Sequence, residues 1–148
     1  MSAYTQYQEN QIISASPEKI LLMLYDGAIR FTRQAIYGLE ENNFSLLRHG
    51  INKSMAIITE FSNSLNHEVG GQIAENLDAL YNFMIRELTT ANLTKDIEKL
   101  KVVEKLLVDL RTTWEEAVEI NKAEILGLAG KKPNRTVSEQ YIPLSLSR

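Results

Sequence analysis

The sequence predicts an all-α protein: an antiparallel four-helix bundle with an N-terminal aromatic cap segment and a flexible C-terminal tail. Three observations predict it. Apolar residues recur at helical spacing along the chain and nowhere alternate with period two over a useful length. Breaks at Gly38-Leu39-Glu40-Glu41-Asn42-Asn43, at Gly70-Gly71 and at Asn92-Leu93-Thr94 divide that pattern into four runs. Short connections between long helices make neighbours antiparallel, and 148 residues suffice for one domain that buries roughly 70% of its unfolded surface.

The first helix is announced by Ser16 as N-cap, Pro17 at the first helical position and Glu18 in the first turn. Its apolar positions form two stripes, one with Ile20, Leu21, Leu24, Ala28, Phe31 and Ala35, the other with Leu22, Tyr25, Ile29 and Ile36. A helix that needs only one core face should not be apolar on nearly every side, so this one carries more apolar surface than a four-helix core hides. That surplus suggests a surface made to hold another apolar chain.

A second helix is expected over about 44–66, with Leu47, Ile51, Ile58, Phe61 and Leu65 inward and Gly50 weakening it slightly. After Gly70-Gly71 a third helix places Ile73, Leu77, Leu80, Met84 and Leu88 inward. The fourth, about 95–122, has Ile97, Leu100, Val103, Leu107, Leu110, Trp114 and Ala117 on one face and mixed charge on the other, read as solvated and laced with ion pairs. Beyond Gly127 the periodicity fails. The chain therefore divides into a mobile cap at 1–15, a bundle at 16–124 and a flexible, basic tail at 125–148.

Composition excludes several classes of function. There is no cysteine, which removes disulfides, thiolate metal sites and thiol nucleophiles. A net charge of −3 argues against a general nucleic-acid binder. No apolar run is long enough to span a bilayer, and the N-terminus has no basic region followed by an apolar one, so the expected location is the cytoplasm.

Catalytic signals are absent. His49 and His67, eighteen residues apart, would sit roughly 27 Å apart on one helix and could not share a metal. The chain lacks paired Glu-x-x-His, His-Glu-x-x-His, a phosphate-cradling glycine loop and a nucleophile elbow. No enzyme, metal or cofactor is expected. The run His49-Gly50-Ile51-Asn52-Lys53 loosely resembles a phosphotransfer histidine, but its lysine is one position too far and Ser54 stands where a glycine would follow.

Tyr4, Tyr7, Asn10, Ile12 and Ile13 make an aromatic lead-in that either packs over the open end of the bundle or covers an apolar groove until a partner arrives. Rings three residues apart reach neighbouring pockets about 10 Å apart in an extended segment, and one helical turn reaches them as well, so spacing does not decide. Tyr25, Tyr81 and Trp114 read as core or half-buried residues with a polar tip near water.

In order, Tyr4-x-x-Tyr7-x-x-Asn10-x-Ile12, Ala15-Ser16-Pro17-Glu18-Lys19 and Leu24-Tyr25-Asp26-Gly27-Ala28 resemble the FliS family of flagellin-binding export chaperones. Leu65-Asn66-His67-Glu68-Val69-Gly70-Gly71, Asn76-Leu77, Leu80-Tyr81, Ala91-Asn92, and Leu110-Arg111 with Trp114 extend the resemblance over about 3–121. It implies a bacterial cytoplasmic chaperone without catalytic activity. Its client would be the disordered C-terminal segment of flagellin, kept from premature polymerisation and delivered to the flagellar export apparatus. Export-gate components are candidate further partners, with no nucleic acid and no membrane insertion, and an empty apolar groove also leaves a homodimer open. By position, Tyr4, Tyr7, Asn10 and Ile12 would form the mobile cover and part of the client contact, and Tyr25 and Tyr81 match family positions that either touch the client or hold the bundle; the apolar surplus of the first helix adds Ile20, Met23, Leu24 and Ile29 as candidate client contacts. The tail lies outside the matched pattern, and its Pro143-Leu144-Ser145-Leu146-Ser147-Arg148 is loosely similar to flagellin tails. Two readings from other classes stand beside this one: a phosphotransfer bundle using His49, and a structural bundle that self-associates through its apolar excess.

Overall fold

The computed structural model describes residues 16–126, with side chains described over 16–120. Four helices run in chain order: α1 (Pro17–Glu40), α2 (Phe44–Ser64), α3 (His67–Thr94) and α4 (Ile97–Leu126). Helix α1 packs on α2 and α4, and α3 packs on the same two, so α1 and α3 face each other across a diagonal. Helices that pack side by side are antiparallel. Along the α1–α4 seam, for example, Asp26 meets Arg111 while Arg33, further on, meets Glu104, further back. This is the bundle that the sequence predicts.

Caps set the helix starts. The Ser16 hydroxyl accepts from the Lys19 N–H at 3.2 Å, and Pro17 follows it. Asn43 and Asn66 do the same for α2 and α3, accepting from Leu46 N–H at 3.1 Å and Val69 N–H at 3.0 Å. Because Asn66 starts α3, α2 ends at Ser64 and His67 lies in the first turn of α3. The two histidines are therefore on different helices, contrary to the expectation above. Gly71 does break the chain: with φ 52° and ψ −127° it separates one turn, 67–70, from the rest of α3.

Asn92-Leu93-Thr94 does not break it. Helix α3 runs through Thr94 and stops at Lys95, whose φ of 60° is left-handed, whose backbone N–H donates to the Ala91 carbonyl at 2.8 Å and whose ammonium donates to the Asn92 carbonyl at 2.6 Å. Asp96 then turns the chain into α4, its carboxylate accepting from the Glu98 N–H at 3.0 Å.

The α1–α2 seam is built from small residues. A Cβ on Gly50 would lie 2.5 Å from the Phe31 carbonyl oxygen and 2.7 Å from the Ala35 nitrogen, so the two backbones touch there. Gly50 is thus a contact position and not merely a weak point in α2; Gly38 makes a similar approach to the start of α2. Between them and the aromatic end, the Thr32 hydroxyl donates to the Ala28 carbonyl at 2.8 Å and shares a 2.8 Å hydrogen bond with Ser54. Both side chains are fully buried and both are satisfied.

One aromatic residue from each helix meets in the core: Tyr25, Phe61, Tyr81 and Trp114. Phe61 stacks on Tyr25 with centroids 4.4 Å apart and lies 5.5 Å from Tyr81. Leu47, Ile51 and Ile58 from α2, Met84 and Leu88 from α3, and Leu100, Val103 and Leu107 from α4 fill the rest. On α3 the core register runs through Ala74, Tyr81 and Leu88, seven residues apart. Ile73, expected inward, is 38% exposed, and Leu77 and Leu80 are only partly buried.

Candidate protein-docking surfaces

The surplus apolar surface of α1 is largely absorbed, because that helix is flanked on two sides. Leu21, Leu22, Ile36 and Leu39 are partly buried against the margins of the core. What stays open is a short strip at the start of α1: Ile20 and Met23 are half-buried and Leu24 is 38% exposed. Ile29 is buried.

Tyr25 and Tyr81 expose almost no surface. Their hydroxyls share a 2.7 Å hydrogen bond across the diagonal of the bundle, and the Trp114 indole N–H donates to the Tyr25 oxygen at 3.3 Å. Neither polar tip is near water. Each hydroxyl finds its partner in another helix, and burial pushes the Tyr25 phenol up to about 12, with Tyr81 raised further for the same reason. In this arrangement the pair bolts helices together and offers no contact to a client. Tyr4, Tyr7, Asn10 and Ile12 lie outside the described residues.

A second apolar strip runs along the α3–α4 seam. The ion pair of Glu87 and Lys99, 3.5 Å apart, marks where the two helices face each other. Leu80 and Ile73 lie two and four turns from Glu87 on the same face of α3, and Leu106 lies two turns from Lys99 on α4. Val102 is 42% exposed beside them, and Ile120 is exposed near the end of α4. Sequence spacing places Ile73 and Leu80 inward, while Val102, Leu106 and Ile120 are obscured by the charges around them. The available signal was three apolar residues, Val102, Leu106 and Ile120, interrupting a face otherwise read as charged.

The α1–α4 seam is polar. A groove of about 570 Å³ is lined there by Asp26, Ile29, Arg30, Arg33, Tyr37 and Arg111, among others. Its charges are largely spent internally. Arg111 bridges Asp26 at 2.5 Å and Glu115 at 2.7 Å, hydrogen bonds that hold its guanidinium above the usual range, and Arg33 pairs with Glu104 at 2.7 Å. Arg30 lies over the Phe31 ring. Exposed pairs of this kind add about 1 kcal/mol or less each, and serve here mainly to set the register of α1 on α4.

His49 is exposed, its ring edge-on to Phe31 with centroids 6.0 Å apart. No group of three or more metal-ligating side chains occurs among the described residues. No helix among them is long and apolar enough to cross a membrane.

Comparison with known proteins supplies the context for these surfaces. The family model for FliS, described as a flagellar protein, matches residues 1–121. The chain is 31% identical over 127 residues to the flagellar secretion chaperone FliS of Bacillus subtilis, covering 86% of this chain and 94% of that one. It is 36% identical over 118 residues to the chaperone of the same name from Salmonella typhimurium, covering 78% and 87%, and 33% identical over 108 residues to that of Vibrio cholerae.

Proposed function

The chain belongs to the FliS family of flagellar secretion chaperones, and from that premise we propose that its client is the C-terminal segment of flagellin, held unpolymerised in the cytoplasm until export. The observation that carries this reading is the pair of apolar strips, one at the start of α1 and one along α3–α4. They lie on different helices of the scaffold, one on α1 and the other on α3 and α4. A rigid globular partner would engage one such strip. A chain that arrives disordered and orders on contact can reach both, and it needs a long apolar surface to offset the entropy it loses. Helical client segments laid against the strips would place apolar residues at three- and four-residue spacing.

Leu24 and Ile73 are the contacts best suited to test this, since each is exposed and neither belongs to the buried core. Ile20, Met23, Val102 and Ile120 extend the same two strips. Tyr4, Tyr7, Asn10 and Ile12 supply the movable cover in this proposal, and transfer to export-gate components follows client capture.

Calorimetric titration with the flagellin C-terminal segment, accompanied by circular dichroism, tests the reading. Expected are binding with a large negative heat-capacity change and a gain of helix beyond the sum of the components. Leu24→Asp with Ile73→Asp should weaken binding by more than about tenfold, roughly 1.4 kcal/mol, while leaving the melting temperature nearly unchanged. Absence of binding by the unaltered chain would refute flagellin as client.

A further inference from the structure

We propose that the residues following Leu126 fold back over the α3–α4 strip, so that Ile142, Leu144 and Leu146 cover it in cis and a client must displace them. Three observations carry this. First, the strip is an apolar surface that nothing among the described residues covers, with Ile73, Val102 and Ile120 exposed. Second, α4 delivers the chain to it. Helix α4 runs antiparallel to α3 and ends at Leu126, less than two turns beyond Ile120, so the following residues leave from the end of the strip itself. Third, the family match stops at residue 121, so the apolar close of this chain stands outside what the family shares.

Reach and chemistry both fit. From Ile120 to Val102 the strip is about 27 Å long at 1.5 Å per residue. Fourteen residues lie between Leu126 and Tyr141, enough to span up to about 50 Å. Pro143 disfavours a helix at Ile142. In an extended run, Ile142, Leu144 and Leu146 share one edge over roughly 13 Å, with Ser145 and Pro143 on the other. That is half the length of the strip. The intervening Lys131, Lys132 and Arg135 carry the charge opposite to Glu116, exposed on α4 alongside it, and to Asp109, which Lys105 meets at 3.3 Å.

The absence of native cysteine makes a direct test clean. Asn76, exposed between Ile73 and Leu80 on the same face of α3, is replaced by cysteine together with Ser145→Cys; the comparison chain carries Arg30→Cys on the outer face of α1 with the same Ser145→Cys. Disulfide closure within one chain, read by mass spectrometry after mild oxidation, should be on the order of tenfold faster for the Asn76 pair, because the docked segment raises the local thiol concentration there. Adding Ile142→Asp and Leu144→Asp should remove the preference. Equal closure rates for the two pairs would overturn the proposal, and so would disulfides formed only between chains, which would give the strip to a second copy instead. These readouts need no client. The competition itself rests on the flagellin reading: in the otherwise native chain, Ile142→Asp with Leu144→Asp should tighten flagellin-segment binding severalfold. Unchanged affinity in a pair that does bind would overturn the competition.

Discussion

Gly50→Ala sets two physical effects against each other on one residue. Helix propensity alone favours alanine over glycine inside α2 by about 1 kcal/mol. Packing opposes it. The added methyl would sit 2.5 Å from the Phe31 carbonyl oxygen, 2.7 Å from the Ala35 nitrogen and 3.0 Å from the Ala35 Cβ. Two of those atoms are backbone of α1, so no side chain can swing aside; the helices themselves must separate. Overpacking of this kind costs typically 1–3 kcal/mol and more where backbone must move. Separation would also stretch the Thr32–Ser54 hydrogen bond one turn away. The net expectation is a loss of about 1–2 kcal/mol. With a urea slope of about 1–3 kcal/mol per molar, the denaturation midpoint of the full chain should fall by on the order of 1 M at unchanged slope. Asn52→Ala, exposed on the same helix, is the comparison, because it changes propensity without meeting α1. A midpoint for Gly50→Ala that stays level or rises with that of Asn52→Ala would refute the close approach of α1 and α2.

The buried tyrosines predict an alkaline limit to stability. Below the ordinary phenol value of 10.0 both folded and unfolded chains keep these protons, but as pH climbs from there towards about 12 the unfolded chain releases them while folded Tyr25 does not, so stability falls. Melting temperature should drop across that window, with the phenolate absorbance of Tyr25 and Tyr81 appearing only as helix is lost; their ionisation in a still-helical protein near pH 10 would contradict the burial. Thr32→Val removes the nearer partner of Ser54, leaving it only the Ala28 carbonyl at 3.5 Å, and should cost about 1 kcal/mol. Adding Ser54→Ala should then cost far less than it does alone, since the partner is already gone, and strictly additive losses in thermal melts would deny the pairing.

What could be read from the sequence was what is local. Ser16-Pro17-Glu18 names a helix start because capping chemistry is confined to four residues, and the α4 core face from Leu100 to Ala117 follows from one period. Asn66 and Asp96 were equally local cap signals and went unread, which misplaced His67 and moved the α3–α4 break to Asn92-Leu93-Thr94. The failed break has a physical cause. Thr94 returns its hydroxyl to the Thr90 carbonyl at 2.8 Å, so a residue type that often ends helices is accommodated in the last turn of one. Gly50 cannot be read from α2 alone, since its reason lies in the backbone of α1. The same holds for Tyr25 and Tyr81, fifty-six positions apart and joined only by the diagonal of the fold. At the docking surfaces, Leu24 was legible as apolar excess. Ile73 was not, because the core on α3 settled one residue further along, on Ala74, and left it outside.

The meeting of one ring from each helix gives this chain a built-in optical gauge. Its single tryptophan is one of those four rings, 5% exposed. Loss of any one helix from the cluster would change the surroundings of that indole, so its emission follows the integrity of the whole scaffold at once. The two apolar strips lie outside the cluster, on the surface. Client capture and scaffold failure therefore register in separate channels: added helix signal with a steady indole for the first, a shifted indole for the second.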